Sequence, residues 1–474
     1  MAIENPRGDM RKLEAEYIAI MESLDGDVAG RNAVQDYLES STAIYQGHVI
    51  EMSFVPKLFD AKTLKYIDEI QKTTYSILSK VMQHYIDDPE YAALFRFAPE
   101  LDRLIRIPTG YSCPIPIGRF DIFLDEETFE FSFCEFNTDG SSAMNEEREA
   151  GNSLCRTATF DAMCEHHTLT AQDLFDGWVD AFAEIYASYD AKVDDPLIAI
   201  CDYRNSGNPD EFGIFRDRFI EKGHRCEIVY IDELECREDG LYSKGGLKID
   251  AVYRRAVTAE VMDALEGLYT PEEQAGTQAL CEAYARHQVC LIGGFNTHIA
   301  HCKQIFQVLC NPMTSEFLTE EEREFVAAHI PFTAFLVPEE VDMADVLTNK
   351  DEWIIKPTDR YSSKGVCAGM EHEPEAWRAL IEEHTGRDYV VQRYCKQYKT
   401  INCRPRPLDE ELQPWNNLVG YFNYNGKFAG IYVRAGRNGL IVGYDGGITV
   451  GTFLVDVDLD ELGIDIRTRI PVRD

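Results

Sequence analysis

Three short stretches of this 474-residue chain carry acidic, amide and basic side chains at spacings suited to holding metal and phosphate. The first is Gly118-Arg119-Phe120-Asp121, followed by Phe133-Cys134-Glu135-Phe136-Asn137-Thr138-Asp139-Gly140. Side chains alternate along a strand, so Phe129, Phe131, Phe133, Glu135 and Asn137 are expected on one face. Glu135 and Asn137 would offer oxygen ligands about 6–7 Å apart, close enough to serve hard cations that bridge phosphates. Asp121 on the partner strand could complete the set, although polar groups that merely cap a hairpin end have the same composition.

The second stretch is Trp353-Ile354-Ile355-Lys356-Pro357, running on through Asp359, Arg360, Tyr361, Ser362, Ser363 and Lys364 to Gly365. A lysine at the end of a buried strand, before a small-residue loop, can hold a nucleotide's phosphates by one point charge and many backbone N–H groups. The Walker order is absent, and alone the stretch reads equally as a solvated lysine beside a turn. The third is Ile431-Tyr432-Val433-Arg434-Ala435-Gly436, then Tyr444-Asp445-Gly446-Gly447 and on to Gly451. An arginine leaving a strand can grip a phosphoryl group or acyl phosphate bidentately, and glycines after it can hinge a lid or simply form a flexible hairpin.

The elements that must position these residues follow from periodicity. Residues 11–86 show apolar positions at three- and four-residue steps and read as helical. Residues 118–124 and 129–137 read as a β-hairpin, and 171–187 as a helix. From Pro196 strands alternate with helices: Leu197 to Cys201, then the helical 212–222, then Cys226 to Ile231 and Ala251 to Tyr253, which implies a parallel α/β unit ending near Asn296. Its first loop lacks GxGxxG spacing. The last third returns to antiparallel strands, with Asn425-Gly426 a two-residue hairpin turn. Register decides whether the first motif is a cluster at all. With a regular four-residue loop at 125–128, Asp121 falls on the sheet face opposite Glu135 and Asn137, so an odd loop or a bulge is required.

Composition narrows the function. A net charge of −37 repels phosphodiester backbones and draws cations, an effect that also serves solubility alone. The 14 cysteines form no paired CxxC or zinc-type cluster and suit buried thiols in a reducing compartment, and no run of about 18 apolar residues occurs. The expectation is a cytoplasmic protein with no secretory signal, no nucleic-acid partner and no membrane partner. No Ser/His/Asp or Cys/His set stands out.

Taken in order, the three stretches resemble the ligase part of glutathionylspermidine synthetase and, more distantly, eukaryotic glutathione synthetase. A GRFD strand precedes an E-x-N-x-D strand, and the chain closes with an arginine strand and a DGG-x-x-x-G loop, over roughly residues 108–455. The resemblance implies an α/β (α+β) ATP-grasp fold in circularly permuted order, with antiparallel sheets clasping nucleotide and an inserted Rossmann-like unit. It implies four segments: a helical section at 1–107, a metal- and substrate-binding part at 108–195, the Rossmann-like unit at 196–297 and a nucleotide-binding part with a glycine-rich lid at 298–474. It also implies a carboxylate–amine ligase that uses ATP and Mg2+ and passes through an acyl phosphate. The alternatives are a small-molecule kinase or a non-catalytic nucleotide-binding protein of the same fold. The expected partners are small-molecule carboxylate and amine substrates, with a homodimer also admitted.

Carried over residue by residue, Asp121, Glu135 and Asn137 stand as magnesium ligands, Arg119 as a contact to the carboxylate or its phosphate, and Arg434 as the arginine that steadies the transition state. Lys303 and Lys356 stand as the two phosphate-side lysines, expected to converge. Ser362, Ser363 and Gly365 fall in the phosphate loop, and Gln392, Arg393 and Tyr394 at the adenine-binding hinge. Ser141, Ser142, Tyr253, Arg254, Gly446 and Gly447 are placed at the substrate by position alone. The phosphate loop departs from its relatives in lacking a glutamate, with only Asp359 available to substitute.

Overall fold

The computed structural model describes residues 9–45, 47–360, 364–441 and 446–472, so Ser362 and Ser363 lie outside the described residues. Its central layer is a six-stranded antiparallel sheet. The strands Gly447–Val450, Lys427–Gly436, Gln413–Tyr424, Ile117–Leu124 and Phe131–Asn137 are neighbours in that order, with Lys399–Asn402 also paired to Gln413–Tyr424. Asn425 and Gly426, at φ 49° and 80°, make the tight turn that their types suit.

A bulge shapes the Ile117–Leu124 and Phe131–Asn137 pair. Ile122 lies opposite Phe133, but Asp121 lies opposite Glu135 and Arg119 opposite Asn137, which leaves Cys134 as the extra residue. The alternation expected for Phe129 through Asn137 is therefore broken, and the phenylalanines do not share a face with Glu135. Phe131 and Phe133 turn inward with Phe120, Ile122 and Leu124, all at most 4% exposed, while Arg119, Asp121, Glu135 and Asn137 are delivered to the other face. Burying each such apolar side chain stabilises by about 1.5–3 kcal/mol, so the core face fixes the register of the polar one.

The long helix Ala61–Asp87 begins where the Asp60 carboxylate accepts from the Thr63 N–H at 2.9 Å. Its stripe of Leu64, Ile67, Ile70, Ile77 and Val81 packs into the core that covers this sheet. The N-terminal section is not wholly helical. The strand Lys57–Phe59 runs parallel to Thr452–Val455, in a sheet completed by Leu169–Gln172 and Thr468–Arg469. Lys57 is sealed there between Glu14 and Glu126, at 3.0 and 2.9 Å. These polar neighbours interrupt a helical pattern that periodicity alone would have continued.

A second antiparallel sheet has the order Thr333–Phe335, Tyr389–Arg393, Trp353–Pro357, Cys367–Ala368. The third is parallel, ordered Cys290–Ile292, Ala251–Arg254, Leu197–Asp202, Arg225–Tyr230, with the helix Pro209–Glu221 joining its first two strands in sequence. Its strand order reverses between Leu197–Asp202 and Ala251–Arg254, and Val257, just past the carboxyl end of the latter, lines the larger cavity described next. Among the described residues no helix is long and apolar enough to cross a membrane.

Candidate active site

Two cavities meet at Glu135, Lys303, Arg434 and Ile441. The smaller, about 70 Å³, lies between the two antiparallel sheets. Phe123, Cys134, Leu418 and Arg434 come from the six-stranded sheet and Ile354, Lys356 and Gln392 from the other. The larger, about 610 Å³, is bounded by Arg119, Asn137, Ser141, Ser142, Gly446 and Gly447, with Glu146 and His301.

Lys356 and Lys303 converge. Lys356 Nζ donates to Gln392 Oε1 at 2.8 Å and to the carbonyl of Cys134 at 3.3 Å, so the bulge residue helps fix the lysine that faces it. Gln392 in turn donates to Thr333 Oγ1 at 2.8 Å, leaving its side chain committed to holding Lys356. Lys303 precedes the helix Gln304–Leu309 and is tied to the phosphate-loop segment twice, from its N–H to the Thr358 carbonyl at 2.9 Å and from Nζ to the Arg360 carbonyl at 2.5 Å. Burial pushes the Lys303 ammonium down from its ordinary pKa, Glu135 opposes that and Lys356 adds to it. The crowding of two cations on one cavity is relieved when an anion enters.

On the polar face of the hairpin, Arg119 grips Asp121 bidentately at 2.7 and 3.0 Å, and Arg434 Nη2 reaches Asp121 Oδ2 at 2.9 Å and Glu135 Oε1 at 3.8 Å. Asn137 Nδ2 lies 3.3 Å from Asp121 Oδ2 and 3.2 Å from Glu135 Oε1. Burial would raise the Glu135 carboxyl, but Lys303, Arg434 and Arg119 outweigh it and bring the pKa down to about 2. Glu135 is thus an anion throughout the neutral range. Among the described residues no three His, Cys, Asp or Glu side chains group at metal-binding distance. The set is instead two carboxylates and an amide, which suits magnesium, an ion that takes one or two carboxylates and fills its remaining positions with water and phosphate oxygens. Asp121 sits 1% exposed behind the cavity wall with both oxygens taken by arginines, so Glu135 and Asn137 are the donors on the cavity side.

Gly420 had no place in the sequence reading. It lies opposite Asp121, and a Cβ there would come within 2.5 Å of Asp121 Oδ1 and 2.8 Å of Arg119 Cδ. A glycine inside the strand run Leu418-Val419-Gly420-Tyr421 was the available signal for such a close approach. Glu146 and His301 also went unread, because a charged helix start and a lone histidine look like ordinary surface.

Several expected site residues lie elsewhere. Tyr253 is fully buried among Trp178, Phe182 and Phe215, and Arg254, 2% exposed, is spent on Asp139 at 2.8 Å and on the carbonyls of Gly293, Ala256 and Gly294. Neither lines a cavity. Arg393 turns away to Asp345 and Glu352, at 3.0 and 2.6 Å, because its strand neighbour Gln392 takes the inward face. The N–H groups of Arg393 and Tyr394 are engaged by the carbonyls of Phe332 and Glu352, while Tyr394 lines the small cavity and its hydroxyl donates to the Gly439 carbonyl at 2.8 Å. Gly365, at φ 76°, packs under the Tyr389 hydroxyl beside the cavity residue Val366. Asp359 is drawn to His298 Nε2 at 3.3 Å, away from Glu135. Ser141 and Ser142 do border the large cavity, with the Ser142 carbonyl accepting from Arg119 Nη1 at 3.0 Å.

Comparison with known proteins bears on the fold. Residues 191–422 match the family model of circularly permuted ATP-grasp type 2 proteins. No curated protein matches the sequence. Among solved structures, a glutathione synthetase-like effector from Globodera pallida in its apo form superposes with a TM-score of 0.60 at 11% identity, over 90% of this chain and 96% of that one. The chain has the circularly permuted ATP-grasp fold.

Proposed function

We propose that the protein is an ATP-dependent carboxylate–amine ligase that activates a carboxylate as its acyl phosphate and transfers the acyl group to an amine. The observation that carries this reading is the junction of the two cavities at Glu135, Lys303 and Arg434, where the phosphate-side lysines meet the acceptor side. Ile354, Leu440 and Tyr394 offer an apolar slot for a base, and Lys303 and Lys356 offset the charge of the phosphates. Glu135 and Asn137, with Asp121 behind them, would hold Mg2+, which supplies charge neutralisation at the β- and γ-phosphate oxygens.

At the junction, Arg434 is oriented by Asp121 to meet the charge that develops as the phosphoryl group passes to the carboxylate, and Arg119 is held flat beside it to orient that carboxylate. The 446–447 glycines border the acceptor side and suit a backbone that closes over a water-sensitive acyl phosphate. The test is to incubate the protein with ATP, Mg2+ and pooled amino acids and small peptides, trapping acyl phosphate with hydroxylamine. Hydroxamate together with ADP supports the ligase. A stable phosphorylated product points to a kinase, and nucleotide binding without turnover to a binding protein.

A further inference from the structure

Glu146 borders the larger cavity and takes no part in holding phosphate. It stands in the first turn of the helix Met144–Leu154, 5% exposed, and its Oε2 is closed off from solvent with no hydrogen-bond partner among the described residues. The cations nearest to it are already committed. Arg255, from the switch point of the parallel sheet, is bound to Glu211 of the helix Pro209–Glu221 at 2.9 Å and to the Tyr253 hydroxyl and the Ser141 carbonyl. Arg119 is committed to Asp121. Glu211 also accepts from the Asn145 N–H at 3.1 Å, which brings a second carboxylate up against Glu146. Tyr432 of the strand Lys427–Gly436 is a further titratable neighbour on the cavity side. Burial, and after it Glu211, push the Glu146 carboxyl well above the usual carboxylate range.

Arg119 and Arg255 offset the Glu146 charge only in part, because each is bound to another carboxylate, and a buried carboxyl left short of counter-charge is retained where a ligand supplies the missing cation. Resting on the ligase reading above, we propose that Glu146 is the amine-side residue of this site: it binds the attacking substrate as an ammonium ion and removes a proton from it. The substrate class is then a primary amine that is cationic at neutral pH, in keeping with a strongly acidic protein that draws cations toward it. In the step itself, R–NH3+ gives one proton to the Glu146 carboxylate and the freed nitrogen lone pair attacks the acyl carbon. The C–N bond forms, the C–O bond to phosphate breaks with the phosphate oxygen keeping the electron pair, and the second nitrogen proton leaves with the phosphate. A carboxyl whose affinity for protons is raised is the better acceptor for this role.

The experiment measures two products from the same acyl phosphate. Wild type, E146Q and E146D are given ATP, Mg2+, pooled amino acids and small peptides, and either hydroxylamine or a pool of primary alkylamines and diamines. Hydroxylamine is neutral at neutral pH and needs no base, whereas the alkylamines arrive protonated. The expected result is that the ratio of amide to hydroxamate falls about 100-fold or more in E146Q, the scale of a lost general base, and less in E146D, which keeps the carboxylate. An unchanged ratio in both variants, whether the two rates fall together or neither falls, would overturn the assignment. E146D carries the same readout where E146Q does not fold. Absence of hydroxamate from the wild type would instead remove the ligase reading on which the assignment rests.

Discussion

Two clusters, each built on an arginine–aspartate pair, flank Asn137 and are put to opposite uses. In the cluster of Arg119, Asp121, Glu135 and Arg434, the Arg434 and Glu135 side chains keep 20% and 33% of their surface open to the cavities. In the cluster of Asp139, Arg254 and His298, exposure is 1%, 1% and 0%. The second cluster spends itself on the fold. Asp139 accepts from the Thr258 N–H at 2.8 Å, Arg254 binds three carbonyls, and His298 bridges Asp139 and Asp359 at 3.6 and 3.3 Å. It latches the end of the 117–137 hairpin and the parallel sheet to Asp359. The first cluster keeps side-chain surface open to a ligand, and that exposure is what separates a site from a latch.

The largest effect that would break the comparison belongs to the latch. Arg254→Ala takes the guanidinium from the buried Asp139 and leaves it only His298 and the Thr258 N–H, and unfolding stability should fall by about 3–5 kcal/mol, read from denaturant midpoints. Retained stability would mean that the cluster is not a latch. Arg434→Ala should do the reverse, lowering kcat about 10²–10³-fold, or about 2.7–4 kcal/mol, with ATP affinity by calorimetry little changed. An equal loss of affinity would make Arg434 a binding residue.

Next in size is Gly420→Ala, whose Cβ meets the Arg119–Asp121 pair from below at 2.5 and 2.8 Å. The strain, about 1–3 kcal/mol, should appear in turnover more than in melting temperature, because the pair can swing toward the cavity. A variant with wild-type turnover would show that the flat pairing does not matter to the chemistry. The smallest effect sharpens the comparison through pH. Burial lowers the His298 pKa, but Asp359 and Asp139 outweigh it and raise it from 6.5 to about 9. A raised pKa gives stability that is complete below the unfolded value of 6.5 and is lost as pH rises through about 9. Wild type should lose melting temperature across that window and His298→Gln should lose less. Parallel curves would remove His298 from the latch.

Much of the open cluster could be read from the sequence, because residues two apart on a strand share a face wherever no bulge falls between them. Lys356 at a strand end, Arg434 leaving a strand and Glu135 with Asn137 two apart were all visible in this way. The need for a bulge or an odd loop was visible as well, but not its place. A bulge at Cys134 also separates Glu135 from the phenylalanines, and nothing in Phe133-Cys134-Glu135 marks that residue as the extra one. Tyr253 and Arg254 were misplaced because a strand-end arginine looks the same whether its guanidinium meets a ligand or four partners of its own chain. Glu146 was hidden for the opposite reason. Glu146, Glu147 and Glu149 have the composition of a solvated helix face, and only tertiary packing shows all three to be buried.

Central to the proposed ligase is that Lys303 and Lys356 grip one triphosphate at the junction of the cavities. A crystal structure of the protein with Mg2+ and a non-hydrolysable ATP analogue tests this directly. The expected result places the base between Ile354, Leu440 and Tyr394 and the phosphates within hydrogen-bond reach of both lysines, with the γ-phosphate beside Arg434 and Glu135. A nucleotide bound elsewhere, or one that touches neither lysine, would contradict it.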